Sequence, residues 1–208
     1  MSMKRFLLRS LAAVVFASGT LLTSAAQAAD PYVTLDVAQP SDTAGKIEVL
    51  EFFAYSCPHC AHMEPMVEKM LPSLPDNVVF RGVPVAFNAS MADLQRLYYS
   101  LQALDRMDLH SKVFDAIHKD HDRIYTADAI TDWIVKQGVD RKAFEDVFNS
   151  FGINTKLQRA NELAEAYKIE GTPSFAVAGK YVTSPSMTGS YEGTIEEVEK
   201  LVAKATGQ

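Results

Sequence analysis

Two cysteines follow directly after an apolar run, and this junction limits the possible folds more than any other stretch of the chain. Cys57 and Cys60 are the only cysteines among the 208 residues, and the apolar run at 46–53 predicts a buried strand. Cysteines spaced in this way at a strand-to-helix turn place the first thiol at a helix N-terminus, where free N–H groups and the helix dipole favour a thiolate. The junction therefore predicts thiol chemistry on an α/β scaffold.

Glu51 interrupts the apolar strand. A carboxylate in a strand covered on both faces is costly unless it is protonated or partnered. We expect Glu51 to lie buried beneath the thiols as a proton acceptor, six residues before Cys57. The alternative is that Glu51 reaches the edge of the sheet and water.

The predicted elements alternate between strand and helix. Residues 31–35 predict a short edge strand, 57–71 a helix, 77–85 a strand and 176–183 a hairpin. Residues 187–193 are predicted as a loop. Thr194 and Glu197 form a capping box that opens the last helix. This order predicts an α/β fold with helices on both faces of the sheet.

A helical segment interrupts this pattern at residues 88–167. Ser90 with Asp93 predicts a capped helix start, and Thr126 and Asp140 predict two further starts. We expect five helices here, forming a small helical subdomain inserted between the two halves of the main domain, residues 29–87 and 168–208.

Residues 1–28 have the pattern of a cleaved secretory signal. Lys4, Arg5 and Arg9 form a basic start, an apolar stretch follows, and Ala26 and Ala28 have the spacing of a cleavage site. Cleavage removes three of the 20 basic side chains and none of the 26 acidic ones, which leaves a net charge of −9. Such an acidic exported protein is not expected to bind nucleic acid. We expect a monomer.

Two other uses of the cysteines are disfavoured. A structural disulfide across so short a loop removes little entropy from the unfolded chain. A metal site from Cys57, Cys60, His59 and His62 lacks a second cysteine pair. We therefore expect no metal and no cofactor, with the Cys57–Cys60 disulfide itself as the redox group.

The residues between the cysteines favour an oxidant. Pro58 suits the first helical turn, and the His59 imidazole could be cationic or donate a hydrogen bond to the Cys57 sulfur. If these groups stabilise the thiolate, the disulfide form is relatively high in energy and is readily given away. Cys60 is then the resolving thiol.

Gly171-Thr172-Pro173 opens a predicted strand. A proline at this position leaves backbone groups of its neighbours free, so an extended peptide could pair with the main chain of Thr172. The Thr172–Pro173 bond could be cis or trans, and most such bonds are trans.

Taken together, these motifs resemble the thioredoxin superfamily. The stretch from Phe52 to Cys60, Pro65 in the following helix, and Tyr167 to Phe175 carry the resemblance. Cys-Pro-His-Cys with a helical insertion is similar to the DsbA-type family of periplasmic thiol:disulfide oxidases.

This resemblance implies a thioredoxin-like fold and a periplasmic location. It implies a cis Thr172–Pro173 bond, a nucleophilic Cys57 and a buried acid at Glu51. Unfolded exported proteins are the implied substrates, and a quinone-linked membrane oxidase of the DsbB type is the implied partner that restores the disulfide. Thr172 stands where well-known enteric relatives have valine.

Two other functions remain open. A disulfide isomerase or reductase would have the same fold, although the known isomerases carry a dimerisation domain for which this chain has no room before Cys57. A non-catalytic peptide-binding chaperone would use neither thiol.

Overall fold

The protein folds around a five-stranded mixed sheet with the order β1-β5-β4-β2-β3. The structure is a computed structural model and describes residues 30–207, so the predicted signal peptide at 1–28 lies outside it. The strands are β1 (Val33–Thr34), β2 (Ile47–Phe53), β3 (Val78–Pro84), β4 (Ser174–Val177) and β5 (Tyr181–Thr183). The helices are α1 (Pro58–Met70), α2 (Ala92–Ala103), α3 (His110–His118), α4 (Ala127–Lys136), α5 (Arg141–Phe148), α6 (Phe151–Ala166), α7 (Pro185–Thr188) and α8 (Tyr191–Thr206).

Strand β2 lies inside the sheet. It pairs in parallel with β3 on one side and antiparallel with β4 on the other. Its residues are buried from Glu48 to Phe53, which explains the nearly continuous apolar run in the sequence. Strand β1 lies at the edge and pairs with β5, so the predicted edge strand is confirmed.

Helices cover both faces of the sheet. On one face, α1 and α8 pack against Val49, Phe175 and Val177 through buried side chains at helical spacing. Those side chains are Met63, Val67, Met70, Val198, Leu201 and Val202. On the other face, Leu50 and Phe52 pack in a cluster that extends into the inserted helices. The predicted α/β fold with helices on both faces is confirmed.

Helices α2 to α6 lie between β3 and β4 in the chain, as the periodicity indicated. The side chains of Thr126 and Asp140 accept hydrogen bonds from the backbone at the starts of α4 and α5, so both predicted caps are confirmed. Within residues 30–207, no helix has the length and apolar character that crossing a bilayer requires.

Two predicted helix starts were wrong. Ser90 does not cap α2: the N-cap residue is Met91, and both the N–H and the hydroxyl of Ser90 donate to the Asn88 side chain. The carboxylate of Asp93 instead accepts from the N–H of Ala127. The local pattern assigned Asp93 to a capping box, but its carboxylate forms a tertiary hydrogen bond to the start of α4 instead.

The last helix likewise begins earlier than the Thr194–Glu197 pattern predicted. Its cap is Ser190, whose hydroxyl accepts from the N–H of Gly193 at 2.9 Å. Thr194 lies inside the helix and donates to the Ser190 carbonyl. The predicted loop at 187–193 therefore contains the end of α7 and the start of α8.

Candidate active site

Cys57 forms the N-cap of α1, the helix that follows β2. Its sulfur accepts a hydrogen bond from the N–H of Cys60 at 3.4 Å, and Pro58 occupies the first helical position, where no N–H is needed. The strand ends, the chain turns, and the first thiol stands at the helix N-terminus, as the sequence predicted.

The two thiols have opposite environments. Cys57 is partly exposed, whereas Cys60 is fully buried. A hydrogen bond from the Cys60 thiol, then the side chain of Thr172 and the N–H groups of Cys60 and His59, lowers the pKa of Cys57 to about 5, against the opposing effect of burial. Burial raises the pKa of Cys60 well above its usual range. One sulfur is thus an accessible thiolate at neutral pH, and the other is a shielded thiol.

Thr172 and Pro173 lie beside this thiolate although they are more than 110 residues away in the chain. The peptide bond between them is cis, so that expectation is confirmed. The carbonyl of Thr172 lies 3.3 Å from the Cys57 sulfur and accepts a hydrogen bond from it when the thiol is protonated. The contact favours the thiol form, but the donors around the sulfur outweigh it.

Glu51 lies in the middle of β2, between Gly82 on β3 and Phe175 on β4. Its side chain is only 3% exposed, so the alternative that it reaches the sheet edge and water is wrong. Burial first, then the negative charges of Glu64 and Cys57, raises the pKa of Glu51 well above its usual range. The carboxyl is thus protonated over a wider pH range than an exposed one.

The His59 side chain is placed differently from what the sequence suggested. Its Nδ1 lies 2.6 Å from the hydroxyl of Tyr191 at the start of α8. Among the described residues, no hydrogen bond joins the His59 ring to the Cys57 sulfur. His59 instead contributes to the lowered Cys57 pKa through its backbone N–H, after the larger effects of Cys60 and Thr172.

A polar network beneath the thiols was missed by the sequence analysis. The Tyr55 hydroxyl lies 2.7 Å from Nδ1 of His110, and the other ring nitrogen lies 3.3 Å from the Glu64 carboxylate. Ser111 donates to Glu64, and His118 Nε2 lies 2.8 Å from the Tyr55 carbonyl. A glutamate at a buried position of α1 was the one sequence feature that could have indicated this network. The partners of Glu64, His110 and Ser111, lie on α3 and are distant in the chain.

A groove of about 500 Å³ runs alongside the cis peptide bond. The groove is lined by the segment 168–174, by residues of and around α7, and by His59 and Tyr191. Its lining includes the apolar side chains of Ile169, Pro173 and Met187.

Metal ligands do not gather in the part of the chain that the structure describes: residues 30–207 contain no group of three or more His, Cys, Asp or Glu side chains able to hold a metal ion.

Relatives of known name cover almost the whole chain. The chain is 52% identical to the thiol:disulfide interchange protein DsbA of Bordetella parapertussis over 200 residues, which are 95% of this chain and 96% of that protein. It is 34% identical to the protein of the same name from Pseudomonas aeruginosa over 196 residues, 91% and 93% of the two chains.

Solved structures agree with these relatives. The crystal structure of Pseudomonas aeruginosa DsbA matches with a TM-score of 0.82 and 34% identity, covering 86% of this chain and 93% of that chain. A DsbA oxidoreductase from Neisseria meningitidis matches with a TM-score of 0.75 and 31% identity, covering 86% and 93%. The family model of the DSBA-like thioredoxin domain matches residues 48–191. With the strand, the two thiols, the cis proline and the inserted helices in place, this chain belongs to the family of DSBA-like thioredoxin domains.

Proposed function

We infer that this protein is a thiol:disulfide oxidase that donates its Cys57–Cys60 disulfide to exported proteins as they fold. The observation that carries the inference is the contrast between an accessible sulfur with a pKa of about 5 and a buried sulfur with a raised pKa. A stabilised Cys57 thiolate favours the reduced protein, so the disulfide is passed on to other thiols.

We propose Cys57 as the sulfur that is attacked. A substrate thiolate attacks it, the Cys57–Cys60 bond breaks, and the bond electrons leave on Cys60, which takes up a proton. A second substrate thiolate then attacks the substrate sulfur of the mixed disulfide and releases Cys57 as a thiolate. The low pKa of Cys57 makes it a good leaving group in this second step.

We propose Glu51 as the group that supplies the proton to Cys60 and takes it back during reoxidation. Its support is its burial, its raised pKa and the electrostatic interactions of its carboxyl with Cys57 and Cys60. Pro58 and the His59 backbone support the thiolate from the helix N-terminus.

The groove beside Thr172 and Pro173 is our proposed substrate site. An unfolded chain could lie in it in extended form, held by main-chain pairing with Thr172 and by shallow apolar contacts. Such binding is permissive, which suits an enzyme with many substrates.

The relatives named DsbA support an exported, periplasmic protein. We propose that residues 1–28 are the cleaved signal, that residues 88–167 form the helical insertion, and that the mature protein is a monomer. A DsbB-type membrane oxidase would restore the disulfide, and the disulfide itself would serve in place of a cofactor.

The test is the equilibrium of the Cys57–Cys60 disulfide with glutathione, measured by alkylation of free thiols. Oxidising and reducing disulfides of this fold differ by about 150 mV, or about 7 kcal/mol for two electrons. An oxidase is reduced readily by glutathione, whereas a disulfide that resists glutathione would contradict the proposal and favour a reductase. Cys57→Ser is the matched control, since a peptide-binding chaperone would keep its activity and an oxidase would lose it.

A further inference from the structure

Tyr191 contacts His59, one of the two residues between the cysteines, without being part of the redox motif. Its hydroxyl lies 2.6 Å from Nδ1 of His59, and its ring centroid lies 4.7 Å from that of His62 on the same face of α1. In the proposed reaction Tyr191 is only part of the groove lining, and no step uses its hydroxyl.

The position of Tyr191 is firmly set. It is the first residue of α8, directly after the Ser190 cap. The Thr188 hydroxyl lies 2.8 Å from that of Thr194, which fastens the preceding turn to the helix. Helix α8 itself is packed onto α1 through a buried apolar cluster. The hydroxyl therefore presents a fixed partner to the exposed His59 ring.

The hydrogen bond between Tyr191 and His59 can form whether or not Nδ1 of His59 carries a proton. A tyrosine hydroxyl donates to a neutral Nδ1 and accepts from a protonated one. In both cases Nδ1 is occupied and is not available to the Cys57 sulfur. The sulfur is instead contacted by the Cys60 N–H at 3.4 Å and the Thr172 carbonyl at 3.3 Å.

We propose that Tyr191 is a positioning residue that, by holding Nδ1 of His59, keeps the imidazole off the Cys57 sulfur and moderates the oxidising strength of the pair. This inference rests on the proposed oxidase function. In the reaction with glutathione, two glutathione thiols become one glutathione disulfide while the protein disulfide becomes two thiols. Any donor that reaches the Cys57 thiolate stabilises the protein dithiol and moves this equilibrium towards it.

Tyr191→Phe removes the hydroxyl and keeps the ring. The freed Nδ1 can then donate a hydrogen bond to the thiolate. We therefore expect the glutathione equilibrium to shift towards the protein dithiol by about tenfold. This shift corresponds to about 1.4 kcal/mol, close to the smallest contribution of a hydrogen bond to a charged group. The pKa of Cys57, followed by thiolate absorbance, should fall in the same variant. An unchanged equilibrium, or a shift towards the disulfide, would overturn the proposal.

The effect must pass through the His59 ring. We expect His59→Ala and the double variant His59→Ala with Tyr191→Phe to have the same equilibrium, because the hydroxyl then has no imidazole to hold. A tyrosine effect that persists without the ring would refute the positioning role. Tyr125→Phe, at a tyrosine that is 39% exposed on the insertion, is the matched control and should match the wild type.

Stability separates positioning from a structural role. The proposal expects Tyr191→Phe to change the free energy of unfolding of the dithiol form relative to the disulfide form, whereas equal losses in both forms would mean that the tyrosine serves only structure. A wild-type protein that fails to exchange with glutathione would instead refute the oxidase function itself.

Discussion

The hydroxyl of Tyr55 lies within hydrogen-bond distance of Nδ1 of the His110 ring, at 2.7 Å. The other ring nitrogen of His110, Nε2, lies 3.3 Å from the Glu64 carboxylate. Burial raises the pKa of Tyr55 well above its usual range, so the hydroxyl keeps its proton. A residue two positions before Cys57 is thereby tied to α1 and to α3.

Helix α3 holds Tyr55 from both of its ends. His110, its first residue, binds the side chain, and His118, its last residue, lies 2.8 Å from the Tyr55 carbonyl. A carbonyl can only accept, so His118 Nε2 carries a proton. The inserted helices therefore fix the turn that carries the thiols.

Tyr55→Phe should destabilise the fold by about 1–3 kcal/mol, because it leaves Nδ1 of a nearly buried His110 without its hydrogen-bond partner. Urea unfolding measures the difference. The exposed Tyr125→Phe is the control and should change stability by less than about 0.5 kcal/mol. Equal stabilities of Tyr55→Phe and the wild type would show that the hydrogen bond contributes nothing net.

Gly82→Ala should destabilise the protein by about 1–3 kcal/mol, because the new methyl group has no space. Gly82 pairs with Glu51 across β2 and β3. A Cβ there would clash with the Tyr98 hydroxyl, lie 2.9 Å from Cζ of Tyr98 and lie 3.2 Å from the Phe53 ring. Thermal unfolding would detect the loss.

The second variant for this site is Tyr98→Phe. Because it removes the nearest clashing atom, it should cost less in the Gly82→Ala background than in the wild type. Additive losses would mean that the alanine strains the strand by some route other than Tyr98.

The strands, the order of helices and the thiol turn were predictable because each depends on local pattern. The apolar run at 47–53 and the helix caps Thr126 and Asp140 can each be recognised from a few consecutive residues. The buried position of Glu51 followed from the same run. Residues in one short stretch were enough to predict where these groups lie.

The features of the site that the sequence did not predict depend on contacts between residues far apart in the chain. His110 lies 55 residues after Tyr55, and Tyr191 lies 132 residues after His59. Nothing in the local sequence indicates either pair. The start of α8 was missed because Ser190, which precedes a glycine-containing turn, caps the helix better than Thr194, which the fold buries.

The dithiol form should gain stability relative to the disulfide form as pH rises from about 5 to about 9. The pKa of Cys57 is lowered from 9.0 to about 5 on folding, so its contribution is fully present above the unfolded value and is lost as pH falls through the folded one. Urea unfolding of both forms across this range measures the difference. A difference that is independent of pH would contradict the lowered pKa.

Thr172→Val should raise the Cys57 pKa, because the Thr172 side chain is one of the groups that lower it. The contact of the sulfur with the Thr172 carbonyl belongs to the backbone and does not depend on the side chain. Thiolate absorbance against pH reports the shift. An unchanged titration would leave the stabilisation to the Cys60 thiol and to the N–H groups of Cys60 and His59.

Glu51→Gln should make the stability of the disulfide form less dependent on pH. Burial raises the folded pKa of Glu51 above its ordinary 4.5, so folding favours the protonated acid. That stability is fully present below about 4.5 and is lost as pH rises through the folded pKa. The glutamine variant cannot ionise, so its free energy of unfolding should rise relative to that of the wild type as pH rises. If the two stabilities changed with pH in parallel, the prediction would be wrong.

The same substitution should slow disulfide exchange while leaving the fold intact. Glutamine keeps the shape of Glu51 inside β2 but cannot deliver a proton to Cys60 or take one back, and positioned proton transfer of this kind contributes about 10²–10⁴-fold to a rate. We expect oxidation of a reduced peptide by Glu51→Gln to be slower and its rate to lose the pH dependence that the carboxyl imposes. The glutathione equilibrium of the variant, measured alongside, separates a slower proton transfer from a weaker oxidant. Unchanged kinetics at every pH would remove Glu51 from the reaction and leave the buried acid as a purely electrostatic neighbour of the thiols.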